Sequence, residues 1–243
     1  MSTLGNNLFA QYYAQNQFKY IDNPELWLEA DSWGTSVWTN KGNGGYDLAC
    51  TGANTGIHVD NKIVASASNK VGYGILRNVL GTGSFTIEAV LHPNASMLST
   101  TYGGWLVTAR TNTLAQANSV QIFFNTSGVF GFSGWDSYGN SISFRPYLYY
   151  DTTSIGYYAV VCDVELGVLC KQVNSQSLYN AHNFSCLIDK FFIGNSNAFG
   201  TSLSTANPEA FYGDIYSIRV YRRALSEAER ANNMRRDKAR FNF

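Results

Sequence analysis

Two short acidic clusters are the residues best placed to support hydrolytic chemistry. They are Glu29-Ala30-Asp31 and Asp163-Val164-Glu165. A retaining glycosidase needs two carboxyl groups roughly 5 Å apart, one as nucleophile and one as acid. Neither cluster has a third carboxylate beside it, and the second cluster borders an expected turn. The acidic residues therefore argue against this kind of hydrolysis.

Nucleophile and phosphate-binding patterns are also missing from the sequence. The histidines His58, His92 and His182 lack a neighbouring nucleophile motif, and each is expected at the surface or in a turn. The glycine-rich stretch 42–45 lacks the Lys-Ser/Thr and the helix that follow in a phosphate-binding loop. We therefore expect a chain that is not an enzyme.

The four cysteines predict neither a disulfide scaffold nor a zinc site, because they are few for 243 residues and form no CxxC pair. They are Cys50, Cys162, Cys170 and Cys186. Buried free thiols are the simplest expectation. Cys162 and Cys170 flank a predicted hairpin turn at 165–167, so a disulfide between them depends on a register that the sequence leaves open.

Composition and charge limit the classes of partner. With 45% hydrophobic, 15% aromatic and 14% charged residues, the chain is suited to a large folded core. Seventeen basic and 17 acidic residues give a net charge of zero, although residues 219–243 alone carry eight basic and three acidic side chains. Zero net charge provides no long-range attraction, and no apolar run approaches the roughly 20 residues of a membrane span. Neither nucleic acid nor a membrane is therefore expected as a partner.

Short β-forming runs bounded by Gly, Asn and Ser dominate the chain. In residues 84–91, Phe85, Ile87 and Ala89 alternate with polar or smaller residues. Further runs are 105–109, 119–125, 128–133, 157–164, 168–173, 190–194 and 213–221. These runs predict an all-β fold, a two-sheet antiparallel jelly-roll sandwich with a short N-terminal arm and a C-terminal helix. In the last run, alternation places Ile215, Ser217, Arg219 and Tyr221 on one side and Tyr216, Ile218 and Val220 on the other.

Helical segments are predicted at both ends of one sandwich domain, residues 24–226. Residues 1–23 form a partly helical arm that docks on its own domain or on a neighbour. Ser226 and Glu229 have the spacing of a capping box, which predicts a basic helix over 227–243. Its residues Arg235, Arg236 and Lys238 either complement the negative helix end or form a docking surface for an acidic partner.

Three segments carry a resemblance to a known family. They are PELWLEADSWGTSVWTNKGNGGYDL (24–48), SFTIEAVLHP (84–93) and FYGDIYSIRVYRRALSEAER (211–230), the last preceded by KFFIGNS (190–196). Together they resemble the laminin-G-like, concanavalin A-like lectin/glucanase superfamily in its bacterial and phage stand-alone members. The resemblance covers about residues 24–232 and implies the jelly roll, whereas fold alone does not fix activity.

The resemblance also sets expectations for catalysis and metals. Related glucanases use a Glu-x-Asp-x-x-Glu strand, but Gly34 stands where the final Glu would follow Glu29 and Asp31. Some members bind calcium through loop Asp, Asn and carbonyl oxygens. Asp60, Asn61 and 195–197 offer such groups without an ordered spacing, so calcium stays open and no other cofactor is expected.

Lectins of this fold hold sugars by stacking an aromatic ring under the pyranose while Asp, Asn and Arg bond to its hydroxyls. Segment 133–150 and the stretch 102–105 supply these residue types. They predict a carbohydrate site of Trp135, Asp136, Tyr138, Asn140, Arg145, Tyr102 and Trp105. The alternative is that these aromatic residues, with Tyr147 and Tyr149, line the core between the sheets.

The resulting expectation is a non-catalytic, lectin-like protein that adheres to a host glycan or surface polymer. Residues 1–19 have Gln, Asn and Tyr where a signal peptide has basic and apolar residues. We therefore expect a phage or virus protein made in the host cytoplasm and displayed on the virion, with an extracellular or cell-surface location as the alternative. The arm and C-terminal helix would contact other virion proteins, and a homo-oligomer stays open. The competing hypothesis is a structural capsid or tail decoration or assembly protein that binds no sugar.

Overall fold

The computed structural model describes residues 24–50, 56–66, 68–69, 71–100, 103–110, 119–135, 141–144, 147–181, 190–194 and 211–243. The predicted N-terminal arm, residues 1–23, lies outside these ranges.

Within the described ranges the chain forms strands throughout and a single α-helix near the end. The strands are β1 (Leu26–Glu29), β2 (Val37–Trp38), β3 (Leu48–Cys50), β4 (Ile57–Val59), β5 (Lys62–Ala65), β6 (Gly72–Ile75), β7 (Phe85–Pro93), β8 (Gly104–Arg110), β9 (Ser119–Phe124), β10 (Val129–Trp135), β11 (Ser141–Ser143), β12 (Leu148–Tyr149), β13 (Gly156–Asp163), β14 (Val168–Val173), β15 (Gln176–Ala181), β16 (Lys190–Gly194) and β17 (Gly213–Tyr221). The helix is α1 (Glu227–Phe241), and 3₁₀ turns span Ala30–Ser32 and Ala95–Ser99.

The strands pair into two antiparallel sheets that enclose one apolar core. The first sheet has eight strands in the order β15-β14-β13-β7-β17-β5-β4, with β1 paired to β17. The second has nine strands in the order β11-β10-β9-β8-β16-β6-β3-β2, with β12 paired to β10. This arrangement confirms the predicted two-sheet sandwich, and each of the eight predicted runs coincides with a strand.

Strand β7 shows how alternation fills the core. Phe85, Ile87 and Ala89 belong to the apolar cluster between the sheets, as predicted. On the opposite side of β7, Thr86 and Glu88 are both 0% exposed, although strand alternation alone would place them in water. Another element therefore covers the outward side of the first sheet.

Strand β17 corrects the predicted alternation. Ile215 lies in the core together with Ile218 and Val220, and the pairing with β7 shifts register between Ile215 and Ser217. A bulge adds one residue to a strand, so the residues on either side of it change face relative to simple alternation. The predicted sides of Ile215 and Tyr216 were therefore wrong, and the Tyr216 ring contacts Phe241 of α1 with the centroids 5.3 Å apart.

Helix α1 begins at the predicted capping box. The Ser226 hydroxyl accepts from the Glu229 backbone N–H at 3.3 Å, and the Glu229 carboxylate accepts from the Ser226 backbone N–H at 2.8 Å. Arg230, Asn233 and Asp237 form its buried side. Among the described residues no helix has the length and apolar character needed to cross a membrane.

The register of the β13–β14 hairpin shows that Cys162 and Cys170 do not form a disulfide. Cys162 pairs with Leu169 and Cys170 pairs with Val161 across the β13–β14 hairpin, so the two thiols lie on opposite faces of the sheet. Cys50, Cys162 and Cys170 are free thiols, and Cys186 lies outside the described residues. The expectation of buried free thiols is thus confirmed for Cys162 and Cys170, while Cys50 is half-buried.

Candidate functional site

Helix α1 covers the outward side of the first sheet, and buried charged side chains hold it there. Arg219 of β17 donates through Nε to Glu88 Oε2 at 3.0 Å and through Nη1 to Asp237 Oδ1 at 3.0 Å. Asn233 Nδ2 donates to Glu88 Oε2 at 2.9 Å, and the Tyr157 hydroxyl donates to Glu88 Oε1. Burial raises the pKa of Glu88, with Arg219 opposing the rise. These groups bond to one another, so they fasten the helix and leave no room for a ligand.

The acidic cluster at Glu29 is also part of this covering. The Glu29 carboxylate accepts from Trp27 Nε1 and from Ser217 Oγ, and it pairs with Arg240 of α1. Asp31 instead lies at the surface, where Lys41 Nζ is 2.5 Å from its Oδ1. The two carboxylates are thus engaged by different partners rather than presented together to a sugar. Asp163 accepts from the backbone N–H groups of a turn.

The basic C-terminal segment is largely paired within the chain. Four of its side chains form ion pairs with carboxylates of the same chain: Arg219, Arg222, Arg223 and Arg240. A fifth, Arg230, is buried and donates to Gln172 Oε1 at 2.8 Å. The positive surplus therefore serves mainly to hold α1 on the sheet, a role that neither predicted alternative included. The docking surface of Arg235, Arg236 and Lys238 stays a prediction.

Among the residues that the structure describes, the histidines and candidate calcium ligands do not converge. His58 is exposed on β4, and His92 is half-buried on β7 with Nε2 3.1 Å from the Thr152 carbonyl oxygen, which agrees with the surface prediction. Asp60 lies in the turn between β4 and β5, whereas His182 and residues 195–197 are outside the described ranges. Within those ranges no three His, Cys, Asp or Glu side chains come together to hold a metal ion.

The second sheet carries a different kind of outward surface. Strand register forms one row of residues across β10, β9, β8 and β16. In this row Trp135 lies beside Ser119, Ser119 lies beside Arg110, and Arg110 lies beside Lys190. The next row consists of Ser143, Ser133, Gln121, Thr108 and Phe192. We call the outward-facing residues Thr108, Ser119, Gln121, Ser133, Trp135, Lys190 and Phe192 the polar face.

Side chains of the polar face point away from the core because their strand neighbours point into it. Val120 and Ile122 flank Gln121, and both belong to the core cluster. Trp135 and Ser133 are partly exposed, and the Ser133 hydroxyl donates to Gln121 Oε1 at 3.3 Å. Trp135 and Ser133 are thus the accessible members of this side of the sheet, whereas Thr108, Ser119 and Gln121 are only 2%, 6% and 7% exposed.

One hydroxyl of the polar face is buried without a partner. Thr108 is 2% exposed, and its Oγ1 has no hydrogen-bond partner in the described part of the chain. Most buried polar groups in proteins are hydrogen-bonded, and an unpaired one calls for a specific explanation. The cross-strand neighbour of Thr108, Gln121, is buried as well, at 7% exposed.

Positive charge lies at one edge of the polar face. Lys190 is 7% exposed, and in the described ranges no carboxylate forms an ion pair with it. Its cross-strand partner in the sheet is Arg110. Burying an unpaired charge is costly, so an anion beside Lys190 would stabilise it.

The structure describes Trp135 and the strand position of Trp105, and the predicted carbohydrate site itself stays a prediction. Trp135 lies on the polar face, whereas Trp105 pairs with Phe123 further along the sheet, so the two tryptophans are not in one row. Five predicted residues lie outside the described ranges: Asp136, Tyr138, Asn140, Arg145 and Tyr102. Tyr147 and Tyr149 are 52% and 65% exposed, so the alternative that they line the core is wrong.

Four residues of the polar face were not predicted as site residues: Gln121, Thr108, Ser133 and Lys190. Their signal was present as single polar residues inside apolar strand runs, such as Gln121 in Ser119–Phe124. Which side of the sandwich such a residue faces depends on sheet pairing, which the sequence alone leaves open.

Lys171 is a separate buried cation between the two sheets. Its Nζ donates to the carbonyl oxygens of Phe130 at 3.1 Å and Phe144 at 3.3 Å, and it lies 4.6 Å from the centroid of the Phe144 ring. Burial lowers the pKa of Lys171 to about 8. It is 0% exposed, so it belongs to the core rather than to the polar face.

Solved structures share this sandwich. No protein-family model matches the sequence, and the comparison with curated proteins gives no match. The carbohydrate-binding module CBM40 of a Ruminococcus gnavus sialidase, bound to α2,3-sialyllactose, aligns with a TM-score of 0.53 and 17% identity over 71% of this chain and 95% of that chain. The binding domain of botulinum neurotoxin serotype G gives a TM-score of 0.63 and 12% identity over 89% of this chain and 52% of that chain.

A Trypanosoma rangeli sialidase in complex with sialic acid gives a TM-score of 0.57 and 11% identity, over 86% of this chain and 32% of that chain. The chain thus spans nearly all of the CBM40 module but about half or less of the toxin domain and the sialidase. Identities this low establish a shared fold, that of β-sandwich domains found in a carbohydrate-binding module and in toxin binding domains. The laminin-G-like resemblance stays a prediction.

Proposed function

We propose that this chain is a non-catalytic carbohydrate-binding domain and that the polar face is its site. The observation that carries the proposal is the row in which a partly exposed Trp135 adjoins Ser119 and leads to Lys190, next to the row of Ser133, Gln121 and Thr108. An aromatic ring can stack under the apolar face of a pyranose, and hydroxyl and amide groups can bond to its hydroxyls.

An acidic sugar suits this surface better than a neutral one. Lys190 is buried without an ion pair in the described ranges, and a sugar carboxylate would supply the opposite charge. Lys190 is three strands from Trp135, about 14 Å across the sheet, so the acidic sugar and the stacked sugar would be different units of one glycan. The CBM40 module, of which this chain covers 95%, is bound to α2,3-sialyllactose, and this supports sialosides as the first ligands to test.

A glycan array tests the proposal. We expect the wild-type chain to retain acidic, sialylated glycans and Trp135→Ala to lose them. Tyr179→Ala is the matched control, because Tyr179 is an aromatic residue 52% exposed on β15 of the first sheet. Melting temperatures of both variants establish that they fold. Retention by Trp135→Ala equal to that of the wild type would contradict the assignment of the site.

Display on a virus particle is a separate proposal that rests on the sequence expectation. A chain of this kind would be found in purified particles and would carry their adhesion to host glycans. The competing role is a structural decoration or assembly protein. That role would be favoured if the wild type binds no glycan on the array and if deletion of residues 1–23 abolishes particle assembly. Absence from purified particles would contradict both.

A further inference from the structure

An exposed apolar patch lies on the outward side of the second sheet around Tyr149. Tyr149 of β12 is 65% exposed and the nearby Leu98 is 43% exposed, and contiguous exposed apolar patches mark interaction sites. Tyr149 pairs with Val129, while the adjacent Leu148 belongs to the core, so Tyr149 faces outward. It therefore lies on the same side of the sheet as the polar face.

Strand β10 connects the two aromatic positions. Val129 and Trp135 are its first and last residues, and β10 pairs with β9 without a register shift. Residues six positions apart on one strand point the same way and are about 20 Å apart. Trp135 and Tyr149 thus mark opposite ends of one continuous outward surface, longer than a single sugar ring.

Between Trp135 and Tyr149 the surface is formed by Gly128 and Gly131 together with the apolar side chains around them. At Gly131, a Cβ would lie 2.3 Å from the ring of Phe123, so this ring lies directly over the strand backbone. At Gly128, a Cβ would be 3.8 Å from Tyr149 and 3.9 Å from the half-exposed Leu98. The floor of the surface is therefore apolar at the tyrosine end and polar toward Trp135.

We propose that the polar face extends along β10 to Tyr149 and binds a linear oligosaccharide, with Trp135 and Tyr149 in separate sugar subsites. The inference rests on the proposed carbohydrate-binding function and adds the length of the ligand to it. A terminal single sugar would contact the polar face alone. A longer chain would also stack on Tyr149, whose ring contributes a contact available only to ligands several units long.

The test is a titration with linear oligomers of sialic acid, from the monomer to the hexamer, followed by calorimetry. We expect wild-type affinity to rise with the length of the oligomer. Tyr149→Ala should weaken hexamer binding about tenfold, because it removes one aromatic contact. The same substitution should leave monomer binding unchanged. Trp135→Ala should weaken every oligomer long enough to reach from Lys190 to Trp135, and Tyr179→Ala none. Melting temperatures confirm that each variant folds.

The outcomes separate the two proposals. Monomer and hexamer binding with equal wild-type affinity, or unchanged hexamer binding by Tyr149→Ala, overturns the extended site while the carbohydrate-binding function stands. Failure of the wild type to bind any oligomer overturns the acidic-sugar function and the extended site together.

Discussion

Arg219 of β17 and Asp237 of α1 form an ion pair that is buried on both sides. The two side chains are 1% and 0% exposed, and Arg219 Nη1 donates to Asp237 Oδ1 at 3.0 Å while Nη2 donates to Oδ2. Two parallel bonds of this kind fix the orientation of both groups. The pair helps to hold α1 on the outward side of the first sheet, whereas the polar face lies on the second sheet.

Replacing Asp237 by Asn should destabilise the fold strongly. The change leaves the buried Arg219 guanidinium with less compensating charge, and breaking a buried pair in this way costs about 3–5 kcal/mol of unfolding free energy. Asp31→Asn is the matched control, because Asp31 pairs with Lys41 while its side chain is 51% exposed, where such pairs contribute about 1 kcal/mol or less. Urea unfolding measures both, and equal losses would contradict the anchoring role of Asp237.

Lys171 should give the stability of the chain a distinctive pH dependence. Its pKa is about 8 in the folded chain against an ordinary 10.5, so between these values the unfolded chain binds more protons. The free energy of unfolding contributed by Lys171 therefore rises as the pH increases from about 8 to 10.5.

The substitution Lys171→Met should remove this rise. In urea unfolding across the same pH range, the wild-type free energy of unfolding should rise relative to that of the variant as the pH increases. Lys41→Met, at a half-exposed lysine, should keep the wild-type rise. A rise that persists in Lys171→Met would show that another group causes it.

The capping box of α1 should make a measurable contribution to the free energy of unfolding. Ser226→Ala removes the side-chain oxygen that accepts from the Glu229 backbone N–H, at a cost of about 1 kcal/mol of unfolding free energy. Ser127→Ala, at an exposed turn residue, is the control and should change stability little. Thermal unfolding compares the two, and a loss no greater than that of the control would contradict the assigned cap.

Lys190 should distinguish acidic from neutral ligands. A hydrogen bond to a charged group contributes about 1.5–3 kcal/mol, so Lys190→Gln should weaken binding of sialyllactose by about tenfold or more and leave any binding of lactose unchanged. Lys62→Gln changes a lysine on the first sheet, where Lys62 Nζ is 2.7 Å from Asp214 Oδ2, and should change neither affinity. Equal weakening of both sugars by Lys190→Gln would contradict an acidic ligand.

The strands and the capped helix were predictable because their signals are local. Alternation in Phe85–Ala89 and the pairing of Ser226 with Glu229 each depend on residues a few positions apart. The edge strands were missed because several, such as β2 and β12, are only two residues long. The bulge near Tyr216 was missed because it appears only when β17 is paired with β7.

The candidate site was predictable only at Trp135. Aromatic and polar composition identified the segment that contains Trp135 and Ser133, but the remaining polar-face residues come from three other strands. Glu88 appeared to be an ordinary outward strand residue, and its burial depends on α1, which is more than 130 positions later in the chain. Contacts between distant segments therefore decided both the covered face and the candidate binding face.

The most direct test of the central claim is an NMR titration of the labelled chain with sialyllactose. If the polar face binds the sugar, the amide signals of β9, β10 and β16 should shift in proportion to occupancy, while those of α1 and the β13–β14 hairpin stay in place. Shifts confined to α1 and the first sheet, or no shifts at millimolar sugar, would contradict the account.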